Sequence, residues 1–187
     1  MKTNWNTTLI ALAVSSGLFS VGANAITGTA SVQGEFKTTI EAGTCTAQIQ
    51  NASGQSIDTL AFGDVYKSDL VAQSRSEPFK IAFSDCAGVK SATFEATPGS
   101  GGSCTGNATD GDSFSAGNAT GFEVWKGDAS SGTLLSCNTK PSQKVTLSGK
   151  NASVDMTARI VLAKDSTIDL VSAGDVSAPV TFVVTYQ

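Results

Sequence analysis

"GTASVQGEFKTTIEAGTC", residues 28–45, is the stretch on which the reading of the whole chain turns. Ala30, Val32, Gly34, Phe36, Thr38 and Ile40 share one parity, and Ser31, Gln33, Glu35, Lys37, Thr39 and Glu41 share the other. Small or apolar groups on one side with polar groups on the other is the two-residue period of a strand with one covered face. A strand needs a sheet. This one follows a secretory cleavage site by a few residues, in the position where chain ends usually fray. Two readings stand: it closes this chain's own sheet, or it is offered to another molecule.

The cleavage site is read from "MKTNWNTTLIALAVSSGLFSVGANA", residues 1–25. Lys2 supplies a positive start, residues 9–21 are a run of small and aliphatic side chains, and Ala23-Asn24-Ala25 places small groups where a signal peptidase reads them. A bilayer span needs about 20 apolar residues, and this run is shorter. Residues 1–25 are therefore expected to be a removable signal peptide, cut between Ala25 and Ile26. That leaves 26–187 as a single domain of ordinary size, headed by an alternating extension over 26–41.

Composition then removes whole classes of activity. The chain has 16 acidic against 12 basic residues and no basic cluster, so nucleic acid is not an expected partner. It has no histidine, which excludes Ser/His and Cys/His catalysis and leaves a zinc site without imidazole. Asp110 and Asp112 in "TDGDS" are the nearest thing to a catalytic or calcium-binding pair. No Gly-x-Ser-x-Gly elbow accompanies them and the ligand count of a calcium loop is missing, so they read as solvated turn residues. We expect no enzyme activity, no cofactor and no metal.

Cys45, Cys86, Cys104 and Cys137 in an exported chain read as two disulfides, and no CxxC spacing favours metal. Sequence alone permits three pairings. Neighbouring elements favour Cys45 with Cys86 and Cys104 with Cys137, each closing a loop worth roughly 4 kcal/mol on the chain-entropy model.

Along the rest of the chain, short β-rich runs alternate with turn clusters, the pattern of an all-β sandwich or barrel. "SEPFKIAFSDC" puts Phe79, Ile81 and Phe83 on one face, with its proline at the entrance where a missing N–H costs least. "VKSATFEA", "QKVTLSG" and "VDMTARIVLA" are further strands, the last with Val154, Met156, Ala158, Ile160 and Leu162 inward. "GFEVWKG" and "LLSC" form a hairpin around "DASSG". Residues 97–120 are a loop by composition, with Phe114 dipping into the core, and residues 164–178 are a mostly polar connector. "SDLVAQSR" reads equally as a loop or as a turn or two of helix with Ser68 as its N-cap. The chain ends "PVTFVVTYQ", with Val180, Phe182, Val184 and Tyr186 on one face.

Taken together, four features resemble a subunit of chaperone–usher fimbriae, the family that includes the type 1 and P pilins. They are the alternating extension before the first cysteine, "LAFGDV" after the first strand, "FKIAFSDC" delivering the second cysteine, and "APVTFVVTYQ" with its penultimate tyrosine. The resemblance covers the whole of 26–187. It implies an incomplete immunoglobulin-like β-sandwich that lacks its last strand, with a disulfide linking Cys45 to Cys86. The vacant edge would be filled first by a periplasmic chaperone and then by the extension of the next subunit, on delivery to an outer-membrane usher.

On that reading Ala30, Val32, Gly34, Phe36, Thr38 and Ile40 are donor-strand residues, while Phe182, Val184 and Tyr186 line the acceptor groove. Gly34 lies farther from Cys45 than the family's small residue does, and counting back from the cysteine lands on Thr38; both registers keep the same parity. The implied product is a structural subunit of a bacterial surface fimbria, exported through the periplasm and supporting adhesion, with neighbouring subunits as partners. A minor adaptor or a sugar-binding tip subunit is the alternative, with a host glycan or surface receptor as partner and Trp125 as the stacking residue. A tip adhesin would carry a lectin domain for which 26–187 leaves no room. Asn-x-Ser/Thr triplets such as those at Asn107, Asn118 and Asn151 read as chance in a bacterial chain.

Overall fold

The alternation over 76–86 marks the middle of the molecule. A computed structural model describes residues 35, 37–38, 42–106 and 112–187, those from 42 onward belonging to one compact unit. Among them the strands are β1 (Thr44–Asn51), β2 (Ser76–Ala87), β3 (Ser91–Pro98), β4 (Phe114–Gly117), β5 (Thr120–Lys126), β6 (Thr133–Leu134), β7 (Gln143–Thr146), β8 (Ala152–Leu162) and β9 (Val180–Tyr186). A short helix, α1 (Lys67–Ala72), and a 3-10 turn at Ile168–Leu170 complete the described elements.

Two sheets result. One runs β1-β2-β8-β5-β4 with β6 beside β5, and the other runs β7-β3-β9; every described strand pairing is antiparallel. β2 turns Phe79, Ile81 and Phe83 inward, β8 adds Val154, Met156, Ala158 and Ile160, and β3 adds Ala92, Phe94 and Ala96 from the facing sheet. Each set occupies alternate positions, so the period read from the sequence is the period that packs the core. Burying a single Phe, Ile or Leu side chain in this way is worth roughly 1.5–3 kcal/mol.

The connections follow from local chemistry. The Asn51 side chain accepts hydrogen bonds from the N–H groups of Ser53 (3.0 Å) and Gln55 (2.9 Å), which turns the chain after β1. The segment after that turn lays Leu60 and Phe62 against the core, and the Arg75 guanidinium holds the Phe62 carbonyl. The sulfurs of Cys45 and Cys86 are bonded, as are those of Cys104 and Cys137.

Three expectations are corrected. Residues 114–117 are strand, not loop: Phe114 is 1% exposed, and β4 pairs with β5 while Cys104 forms a bridge to Phe114. The helix is capped at Tyr66, not Ser68, because the Asp69 carboxylate reaches back to accept the Tyr66 N–H at 2.9 Å. The polar connector holds a 3-10 turn, and its Val171 is buried with Leu70 and Ile160 in a second, smaller core. Leu162 is half-buried at the margin of that cluster.

Candidate functional site

β9 is the strand whose environment is incomplete. Its register is fixed by Ser91 and Gln187, which exchange both backbone hydrogen bonds (3.1 and 2.8 Å), and by the Gly99 N–H donating to the Pro179 carbonyl at 2.9 Å. In an antiparallel ladder such pairs alternate with pairs whose N–H and C=O point to the other side. The odd-numbered residues of β9 therefore spend their backbone groups on β3. Val180, Phe182, Val184 and Tyr186 direct theirs to the far edge, where β9 has no partner strand among the described residues.

The side chains of the same four residues point toward the core but stay only half-buried, whereas Ala92, Phe94 and Ala96 opposite them on β3 are 0–1% exposed. Cover that is complete on one strand and partial on the next is what a missing neighbour produces. Phe182 packs its ring at 5.9 Å from that of Phe79, so the floor of the gap is aromatic and reaches β2 of the facing sheet.

The other wall is β1. Its far edge is covered at the C-terminal end, where the Ile57 N–H donates to the Ile49 carbonyl (3.0 Å) and the Asn51 N–H to the Gln55 carbonyl (2.9 Å). At the N-terminal end the Tyr186 hydroxyl donates to the Cys45 carbonyl at 2.9 Å, bridging the two walls. Between these points the edge around Ala47 is unpaired on its far side among the described residues. Two strand edges whose hydrogen bonds are unmet among the described residues, over half-covered apolar side chains, can bind an extended peptide of alternating character. The site has no bond-making chemistry.

The Tyr186 end of the site is tightly built. A Cβ on Gly43 would lie 2.6 Å from the backbone carbon and oxygen of Gly88, so this approach requires glycine. The Cys45–Cys86 disulfide ties β1 to β2 beside it. Burial pushes the Tyr186 phenol above its ordinary pKa.

Phe182, Val184 and Tyr186 thus sit together on one edge. Val180, named in the sequence for its parity, belongs with them, while Ala47 and Ile49 on the opposite wall were not singled out; alternation around Cys45 was the available signal. Of the proposed donor residues, Thr38 is exposed, and Ala30, Val32, Gly34, Phe36 and Ile40 lie outside the described residues, as do residues 1–25, the Ala25–Ile26 junction, Asn107 and Asp110. Asp112 is exposed, and no cluster of metal-ligating side chains occurs among the described residues. Trp125 has the Arg159 guanidinium 5.4 Å from its ring centre and donates its indole N–H to Glu123 at 3.1 Å. Glu123 in turn binds Arg159 at 2.6 Å, so one face of the indole and its polar edge are already engaged.

Comparisons with known proteins bear on the family and the fold. The family model described as "Fimbrial protein" matches residues 34–187. Fimbrial-like protein YadL of Escherichia coli (strain K12) is 41% identical over 189 residues, covering 93% of this chain and 92% of that protein. The P pilus rod subunit PapA superposes with a TM-score of 0.52 at 21% identity, over 76% of this chain and 99% of PapA. A chaperone–usher pilus structure described for rod uncoiling gives 0.52 at 22%, over 86% and 100%. At these identities the two solved structures speak for the fold, which is the incomplete immunoglobulin-like sandwich of pilins.

Proposed function

Because this chain belongs to the fimbrial protein family, the non-enzymatic subunits of chaperone–usher pili found in cell-surface fimbriae, we propose that it is a structural pilus subunit working by strand exchange. The observation that carries this reading is the coincidence on β9. Val180, Phe182, Val184 and Tyr186 combine half-buried side chains with backbone groups turned to an edge that has no partner strand among the described residues. After loss of residues 1–25, a periplasmic chaperone occupies that edge. At the usher it is replaced by the extension of another copy, with Ala30, Val32, Gly34, Phe36, Thr38 and Ile40 turned into the gap. Backbone bonds supply affinity, and the alternate side chains supply fit.

A subunit that both accepts and donates a strand stands inside the filament, not at its tip. The engagement of Trp125 by Arg159 and Glu123 supports the structural role over sugar stacking. Deletion of residues 26–39 tests the reading. The truncated chain should be captured by the chaperone at wild-type yield yet fail to enter another subunit. Polymerisation of the truncated chain would overturn the assignment.

A further inference from the structure

The compact unit from residue 42 onward has two distinct ends. At one, Tyr186 pairs with Ala92, Thr44 with Ala87, the Cys86 N–H meets the Lys150 carbonyl, and Gly43 lies against Gly88. At the other, Val180 pairs with Pro98, the Ser177 N–H meets the Ala116 carbonyl, and Thr120 pairs with Leu162. α1 and the 3-10 turn belong to this second end, where Leu70 packs with Ile160 and Val171. Beside those buried residues three large apolar side chains face solvent: Tyr66 (68% exposed), Val71 (65%) and Leu170 (62%). The fold spends Leu70 and Val171 on its own core but gains nothing from Val71 and Leu170.

We infer that Tyr66, Val71 and Leu170 form a docking surface for the Gly43–Gly88 end of the next copy in the filament. This rests on the strand-exchange reading and adds a contact between domains to it. All described pairings are antiparallel, so a strand that continues the pattern beside β9 runs from the Tyr186 end to the Val180 end. Its C-terminal end leaves at Val180, on the side of α1. The donating copy's own domain begins almost at once: the three peptide steps from Ile40 to Gly43 span at most about 11 Å. Gly43 is held against Gly88, which fixes how the chain enters that domain. A second domain is thereby brought to the end where the apolar side chains are exposed. Its facing surface consists of residues around Gly43, Gly88, Lys90 and Lys150.

The test places a photo-crosslinking amino acid at Val71 and maps its adducts in assembled filaments. Adducts to residues 42–45, 87–91 or 148–151 of another copy are expected. A Val71→Asp/Leu170→Asp chain should bind a peptide of residues 26–41 within about twofold of wild type, but accept a whole subunit about tenfold more slowly. Filaments whose Val71 adducts lie only elsewhere, or on another protein, would overturn the inference while leaving strand exchange intact. So would equal whole-subunit docking by the double variant. Failure of the 26–41 peptide to bind either chain would instead overturn strand exchange and this contact with it.

Discussion

The Tyr186 hydroxyl, donating to the Cys45 carbonyl at 2.9 Å, joins the last strand to the first across the gap between the sheets. Such a bond is worth about 1 kcal/mol net, and Tyr186→Phe should cost about that much in urea unfolding of the peptide-complemented subunit. The pH dependence has a definite sign. Burial raises the Tyr186 pKa, so the folded state favours the protonated phenol. Its contribution is fully present below the unfolded pKa of about 10 and is lost as pH rises through the higher folded value. In a Tyr66→Phe background, where Tyr186 supplies the tyrosinate absorbance, ionisation should appear above pH ~10 and stability should fall with it. Ionisation at or below that pH would contradict the burial. The Arg159, Glu123 and Trp125 cluster marks a different residue-scale lesson: a tryptophan in a strand looks the same in sequence whether its ring is free or occupied, and only the partner on β8 decides.

At the scale of elements, β9 divides its two faces unequally. Val183 is 45% exposed and faces outward, while Val184 is half-buried toward the core with its backbone on the edge that is unpaired among the described residues. Val183→Lys should change chaperone-bound periplasmic yield by an amount matching less than about 0.5 kcal/mol. Val184→Lys places a charge in the gap and should abolish capture. Equal yields from the two variants would mean that this parity has no role. β2, β8 and β9 were legible in the sequence because each carries a run of apolar residues at alternate positions. β4 was not: "FSAG" has weak strand propensity, and its pairing depends on β5 and on the Cys104–Cys137 tie. α1 and the 3-10 turn were obscure for a related reason, since their apolar residues meet only after the chain has brought Leu70 to Val171. The pairing edge was legible as parity, but the opposing wall on β1 required knowing which half of that strand the turn at 51–56 covers.

The compact unit from residue 42 onward is a sandwich with a complete centre and one flank left incomplete among the described residues. β2, β3 and β8 hold most of the fully buried residues, joined by Phe114, Leu135 and Cys137, and cover thins out toward β9 and the free part of β1. A fold built this way leaves its stability dependent on whatever strand occupies the gap, because binding to the folded state alone shifts the folding equilibrium. On the proposed strand exchange, assembly and folding become one process, and a filament is the state in which each domain is complete. The most direct measurement is equilibrium unfolding of a chaperone-free chain of residues 42–187, with and without a peptide of residues 26–41. The account predicts a weak, broad transition alone and a cooperative transition at much higher denaturant with the peptide bound. A sharp, high-midpoint transition that the peptide leaves unmoved would contradict it.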